Sequence, residues 1–177
     1  MQIFSFALVA RCILGLIFFA NVAYSSASPA AIKNDLHCKM TVPAIVRAGA
    51  AVPMKFELFN HSRRALNVLM WNTPIEGFFA PYLSITGPNG ELEYGGAMMK
   101  RGAPERADYM RIKPGGTLMK TVNLAEIYQF NRQGRYTVKF VGKLVDVTTA
   151  KIPRPLEQHV ATTINCPDVA FVVSVKD

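Results

Sequence analysis

The chain has 177 residues, of which 50% are hydrophobic, and a formal net charge of +8. A chain of this length forms one ordinary domain with a sizeable core. Its basic residues are spread along the sequence, and no Lys/Arg block is interleaved with aromatic residues, which argues against nucleic acid as a partner. The charge is consistent with an acidic glycan, a membrane surface or an acidic protein as partner, and equally with a role in solubility alone.

The first 27 residues have the pattern of a signal peptide. A single Arg11 precedes an apolar run over residues 12–23, which is shorter than the roughly 20 residues of a membrane span. Small residues follow, so we expect cleavage after Ala27 or after Ala23. We therefore expect a secreted or periplasmic protein without stable membrane insertion. The alternative is an uncleaved N-terminal anchor.

The mature chain predicted in this way has a flexible lead-in over residues 28–38 and a single domain over residues 39–177. It retains two of the three cysteines, Cys38 and Cys166. An even cysteine count in an exported chain predicts a disulfide, which would tie the first strand to the last. The loop that it closes is long, so the chain-entropy model gives an upper figure of about 4–5 kcal/mol for its stabilisation.

Short strands separated by turn signals follow one another along the mature chain. The clearest is residues 134–142, where Tyr136, Val138 and Phe140 alternate with polar residues. Further strands are expected at residues 39–46, interrupted by Pro43, and at residues 52–59, 65–71, 109–112, 117–124, 143–149, 159–164 and 169–175, with one helical turn in residues 125–130. This pattern predicts an all-β fold, an antiparallel two-sheet, immunoglobulin-like β-sandwich, in which Tyr136 takes the place of the tyrosine of a sandwich corner.

Residues 69–109 contain a predicted hairpin flanked by two loops. Asn89 and Gly90 lie between two alternating runs and are expected to supply the positive φ values of a tight turn. The flanking loops, residues 71–82 and 95–108, have the densest aromatic, Met and Arg content, and these residue types are enriched at interfaces. The residues expected to bind a partner are Trp71, Phe78, Phe79, Met98, Met99 and Arg101.

Two of these residues have further interpretations. Trp71 can be a contact residue or, alternatively, a core anchor, because aromatic residues beside strands commonly serve packing. Arg101 can offer a partner carboxylate a bidentate hydrogen-bonding group.

The sequence contains no motif that predicts catalysis. His37, His61 and His159 are isolated, there is no His-Glu-x-x-His, and there is no Gly-x-Ser-x-Gly. We therefore expect no catalytic residues, no metal site, no cofactor and no enzyme activity; the alternative is an active site assembled only in three dimensions. Asn60 begins an Asn-His-Ser triplet, which is a glycosylation acceptor in a eukaryotic host.

An ordered set of short motifs resembles a known family. The set includes Thr73-Pro-Ile-Glu-Gly77, the turn at Gly90 with Tyr94-Gly-Gly96, Arg101 with Pro104 and Asp108-Tyr109, Pro114-Gly-Gly116, and Gly134-x-Tyr136-x-Val138. In this order, over about residues 40–147, they resemble the N-terminal pro-domain of deuterolysin-type metalloendopeptidases, which include the peptidyl-Lys metalloendopeptidases.

The resemblance implies a binding role rather than proteolysis. In that family a zinc protease domain follows the pro-domain, whereas about thirty residues follow the matched region here. Pro-domains of proteases assist the folding of the catalytic domain or occlude its cleft. The implied function is a secreted, non-catalytic module that inhibits or chaperones a separately encoded metalloprotease. The alternative is a general secreted adhesion or carbohydrate-binding β-sandwich.

Overall fold

The computed structural model describes residues 35–175, so the predicted signal peptide and most of the lead-in lie outside the described residues. The described part of the chain consists of β-strands and short 3-10 helices. The strands are β1 (Leu36–Thr41), β2 (Ile45–Arg47), β3 (Pro53–Asn60), β4 (Leu66–Leu69), β5 (Leu83–Gly87), β6 (Gly90–Glu91), β7 (Tyr109–Ile112), β8 (Thr117–Asn123), β9 (Gly134–Phe140), β10 (Val147–Thr148) and β11 (Val169–Ser174). The 3-10 helices are Arg106–Asp108, Leu124–Glu126 and Leu156–Gln158.

Hydrogen bonding divides these strands into three sheets. The first has the order β1-β3-β8, the second β10-β4-β7 and the third β2-β11-β9-β5-β6. Every pairing is antiparallel except that of β2 with β11. The all-β prediction is confirmed, and the strands form three hydrogen-bonded sheets where two were expected.

One hydrophobic core joins the three sheets. In β3 and β9 alternate side chains point inward, as the period-two pattern predicted. The rings of Phe56 on β3 and Phe140 on β9 meet between the first and third sheets, with centroids 5.5 Å apart. Leu66 and Val68 of the second sheet belong to the same core cluster. The packing is therefore β-sandwich-like.

Asn60 connects the first sheet to the second. Its side chain is fully buried at the end of β3, and Nδ2 donates to the carbonyl oxygens of Arg64 at 2.8 Å, Ile112 at 3.0 Å and Lys113 at 3.2 Å. Its Oδ1 accepts from the backbone N–H of Ser62 at 2.9 Å. Because the amide nitrogen is enclosed and hydrogen-bonded, the Asn-His-Ser triplet is not accessible for glycosylation in the folded chain.

The start of the domain differs from the prediction. β1 begins at Leu36, so residues 36–38 of the predicted lead-in already belong to a sheet. Pro43 separates two half-strands, as expected, and they lie in different sheets: β1 pairs with β3, and β2 pairs with β11. Pro lacks the backbone N–H that a continuous ladder requires, so the chain changes sheets at this point.

The hairpin turn has a different geometry from the predicted one. Gly90 has a φ of 107°, whereas Asn89 is not among the described residues with positive φ. Gly87 pairs with Gly90, so Pro88 and Asn89 are the central residues of the turn. The proline ring holds the φ of Pro88 near −65°, so a turn with positive φ at both central residues cannot form there. Gly90 alone supplies the left-handed conformation, and the return strand β6 is only two residues long.

Two strand predictions in the C-terminal third were wrong in extent. Residues 143–149 contain only the short β10. Residues 159–164 contribute a single bridge between Leu144 and Thr162 instead of a strand. Pro153 and Pro155 interrupt the segment between these two ranges.

The predicted disulfide between Cys38 and Cys166 is present. It joins β1 to the segment that leads into β11, with Cα atoms 4.8 Å apart. Both cysteines are buried in the core. The bond therefore connects the first sheet to the chain entering the third.

We expect Asn60→Ala to lower the free energy of unfolding by about 2–3 kcal/mol, because it leaves buried carbonyl oxygens without a donor. Urea unfolding of the purified protein measures this change. The matched control is Asn131→Ala, since Asn131 is exposed and bonds only Gln129 among the described residues; it should change stability by less than about 0.5 kcal/mol. Equal effects of the two variants would show that Asn60 does not hold the sheets together.

Candidate functional site

The first loop of the candidate site, residues 71–82, is a compact turn held by its own polar atoms. Asn72 adopts a φ of 58°, and its backbone N–H donates to Glu76 Oε2 at 3.2 Å. Thr73 is fully buried and its hydroxyl donates to the carbonyl oxygen of Met70 at 2.6 Å. The Tyr82 hydroxyl donates to the carbonyl oxygen of Gly77 at 2.9 Å. The bond from Asn72 holds the Glu76 carboxylate, and the other two hold the backbone of the loop.

The second loop, predicted over residues 95–108, ends at residue 105 because a 3-10 helix follows at Arg106–Asp108. It is anchored to the rest of the fold at both its start and its middle. The N–H of Gly95 donates to the carbonyl oxygen of Ile127 at 3.1 Å. The N–H of Met99 donates to the carbonyl oxygen of Phe79 at 3.1 Å, which brings this loop against the first.

Arg101 joins the two loops. Its guanidinium forms an ion pair with Glu76, and both side chains are largely buried, with exposed fractions of 22% and 11%. The guanidinium carbon lies 5.1 Å from the centroid of the Trp71 ring, and Nη1 donates to the sulfur of Met99 at 3.0 Å. A cation over an aromatic face adds about 0.5–2 kcal/mol, depending on how far it is desolvated. The ion pair and the ring together fix the second loop on the first.

The structure places two of the aromatic candidates, Trp71 and Phe78, in or against the core. Trp71 has 6% exposure and forms a small second core cluster with Leu69 and Tyr109, which we call the Trp71 cluster. A side chain buried to this degree offers no surface to a partner, so the core-anchor interpretation holds for Trp71. Phe78 stacks on Tyr82 with centroids 6.3 Å apart and packs against the main core.

Three candidates remain near the surface. Met98 is 73% exposed, Met99 is 48% exposed and Phe79 is half-buried beside them. We call these three residues the methionine surface. Arg101 is paired with Glu76, so its guanidinium supports this surface; its contact with a partner stays a prediction. Binding by the methionine surface stays a prediction.

Sequence reasoning missed a buried polar network in the C-terminal third. Asp146 has no exposed area, and it accepts from the Tyr109 hydroxyl at 3.0 Å and pairs with Arg154 at 2.8 Å. His159 Nε2 lies 3.3 Å from the Tyr109 oxygen and 3.1 Å from the carbonyl oxygen of Arg154. An acid between Val145 and Val147 in an apolar run was the available signal, because a buried carboxylate needs a partner. Each group is satisfied internally, so the network stabilises the fold.

The histidines are less isolated than the sequence suggested. The rings of His37 and His61 lie with centroids 3.9 Å apart, and Phe59 packs edge-on against His61 at 4.3 Å. Pairing of β1 with β3 causes this contact, since His37 lies opposite Phe59. Within residues 35–175, no three His, Cys, Asp or Glu side chains are grouped so that they could hold a metal ion.

Comparison with known proteins gives a sequence relative and distant structural neighbours. No protein-family model matches the chain. An extracellular protease of Aeromonas hydrophila is 27% identical over 90 residues, which are 51% of this chain and 26% of that protein. This chain thus matches about a quarter of the length of its relative. About half of the chain is therefore similar in sequence to a region of an extracellular protease.

The structural neighbours are remote. An alkylpurine DNA glycosylase of Pseudomonas fluorescens, solved with DNA containing an abasic site analogue, matches 79% of this chain and 30% of its own, at 10% identity and a TM-score of 0.35. A CARDB domain of a Pyrococcus furiosus protein, solved with di-metal ions, matches 80% of this chain and 88% of its own, at 13% identity and a TM-score of 0.33. Scores this low carry no argument about function.

The extracellular relative and the Cys38–Cys166 disulfide both agree with the predicted secretion. In the described part of the chain, no helix has the length and apolar character that crossing a membrane requires.

We expect stability to fall as the pH rises from about 10 to about 12. Burial, the hydrogen bond to Asp146 and the charge of Asp146 raise the pKa of Tyr109 to about 12, and burial raises the pKa of Tyr128 to about 12. A tyrosine whose pKa is higher in the folded state than in the unfolded state contributes to the free energy of unfolding. The contribution is fully present below the unfolded pKa of 10.0, and it is lost as the pH rises towards the folded pKa. Unfolding in denaturant across this range measures the fall.

Tyr109→Phe isolates the contribution of one residue to this alkaline destabilisation. At neutral pH the variant should be less stable than the wild type, because the Asp146 carboxylate loses a hydrogen bond. The difference should shrink as the pH passes from 10 towards 12. A difference that is constant over this range would contradict the assignment.

Proposed function

We propose that this chain is a secreted, non-catalytic binding module that docks on the catalytic domain of a separately encoded metalloprotease and inhibits it or assists its folding. The observation that carries the proposal is the similarity to the Aeromonas hydrophila extracellular protease. The resemblance to the pro-domain of deuterolysin-type metalloendopeptidases points to the same kind of partner. A pro-domain-like module acts by binding its protease, so the proposal requires a docking surface.

The methionine surface is the docking surface that the geometry favours. Met98 and Met99 are exposed, and the ion pair between Arg101 and Glu76 holds their loop against the first loop. Met side chains are flexible and polarisable, so they adapt to the shape of a partner. A loop that is already fixed loses little conformational entropy on binding. The combination of a fixed backbone and adaptable side chains suits a protein partner.

We further propose that the fold is immunoglobulin-like. Tyr136 is buried at the start of β9, and its hydroxyl donates to the carbonyl oxygen of Arg132 at 2.8 Å. A tyrosine whose hydroxyl bonds the backbone a few residues upstream is a hallmark of the corner of immunoglobulin-like sandwiches. This bond supports the finer assignment.

The test is to add the purified protein to the separately expressed catalytic domain of a deuterolysin-type protease. Binding is measured by calorimetry, inhibition by cleavage of a peptide substrate, and folding assistance by the yield of active protease after dilution from denaturant. We expect binding together with inhibition or a raised yield. The Met98→Ala/Met99→Ala double variant should bind about tenfold more weakly, since it removes two exposed apolar side chains from the contact.

Met119→Ala is the matched control, because Met119 is 55% exposed and lies on β8, outside the two loops. It should bind like the wild type. If the wild type neither binds nor affects the protease, the protease proposal fails, and the adhesion or carbohydrate-binding alternative replaces it. If the double variant binds as tightly as the control, the docking surface lies elsewhere.

A further inference from the structure

A groove with a volume of about 460 Å³ opens beside the second sheet, and it is lined by basic side chains. Its walls are formed by β4 and β7 on one side and by residues 149–152 on the other. Arg106, Arg111 and Lys151 line it, and no acidic side chain of the described residues does so. We call this the basic groove.

The three cations come from two parts of the chain: Arg106 and Arg111 from consecutive elements, and Lys151 from the segment after β10. Arg111 lies on β7 opposite Asn67 of β4, and Asn67 Nδ2 donates to the carbonyl oxygen of Ala150 at 3.3 Å. Arg106 comes from a 3-10 helix, and its Nη2 donates to the carbonyl oxygen of Ile152 at 3.2 Å. The side chains of Asn67 and Arg106 thus fix the segment after β10 against the sheet. Lys151 lies between the two residues whose carbonyl oxygens accept these hydrogen bonds.

This concentration of like charge favours an anionic ligand. Arg111 and Lys151 are exposed and make no side-chain hydrogen bond or ion pair with the described residues. Cations that line one groove repel each other, and an anion bound between them turns that repulsion into attraction. Arginine matches a carboxylate with two parallel hydrogen bonds, and lysine adds a point charge.

The groove is too large for a single small ion and has the size of sites that hold larger ligands. Its aromatic lining residue, Tyr109, is only 6% exposed, and the Tyr109 hydroxyl donates a hydrogen bond to Asp146. The groove therefore lacks the exposed ring on which a nucleic-acid base stacks. Guanidinium and ammonium groups without an exposed ring suit carboxylates on a flexible chain.

We propose that the basic groove binds an acidic peptide segment, with two or more Asp or Glu carboxylates placed between Arg106, Arg111 and Lys151. This inference is independent of the protease proposal, because it follows from the charge and shape of the groove. It adds a second recognition surface, which lies along β4, β7 and residues 149–152.

The experiment titrates the folded protein with a fluorescently labelled peptide of alternating Asp and Glu, and follows anisotropy at low ionic strength. The matched peptide replaces every Asp and Glu by Asn and Gln. Arg111→Gln/Lys151→Gln removes two groove cations and should weaken binding of the acidic peptide about tenfold or more, since each lost charged hydrogen bond is worth more than a neutral one. The control, Arg135→Gln/Lys139→Gln, removes two exposed cations from β9 and should change affinity by less than about twofold.

The wild type should bind the acidic peptide and not the amide peptide. Equal weakening by the two double variants would overturn the proposal, since it would show diffuse attraction to a basic protein. Absence of binding by the wild type would also overturn it. A sulfated oligosaccharide tested in parallel distinguishes the ligand class: groove-dependent binding of the sugar without binding of the peptide would replace the peptide by an acidic glycan.

Discussion

The ion pair between Glu76 and Arg101 is the contact on which the candidate surface depends. Its partners lie 25 residues apart in sequence, one in each loop, and it places the guanidinium over the Trp71 ring. Removal of either partner would leave a largely buried charge uncompensated, which is strongly destabilising where a pair is buried. Because the pair lies beneath the second loop, Met98 and Met99 remain at the surface while their backbone is held.

The Trp71 cluster connects the methionine surface to the basic groove. Trp71 lies under Arg101, and Tyr109 of the same cluster lines the groove. Ile152 packs against the cluster and accepts the hydrogen bond from Arg106. One region of the molecule thus carries an adaptable apolar surface and a cationic one, both supported by a common packed base. A partner with an apolar contact and an acidic segment would use both.

The sequence predicted what local periodicity and residue chemistry control. Alternation located β3 and β9, and an even cysteine count in an exported chain predicted the pair of Cys38 and Cys166. It did not predict the division into three sheets, because strand partners are set by pairing between distant segments, as between β2 and β11. It also left the role of Trp71 open, because Arg101, whose guanidinium lies over the Trp71 ring, is 30 positions further along the chain. The basic groove was not predicted because only the fold brings Lys151 beside Arg106 and Arg111, about 40 positions earlier in the chain.

The central claim is that the methionine surface meets a protease, and methyl NMR of methionine-labelled protein tests it most directly. Labelled methyl groups report each Met separately in the folded chain. On addition of the inactive catalytic domain of a deuterolysin-type protease, we expect the Met98 and Met99 signals to shift or broaden. The Met119 signal, from an exposed side chain on β8, should remain unchanged. Unchanged Met98 and Met99 signals at saturating protease would contradict the claim.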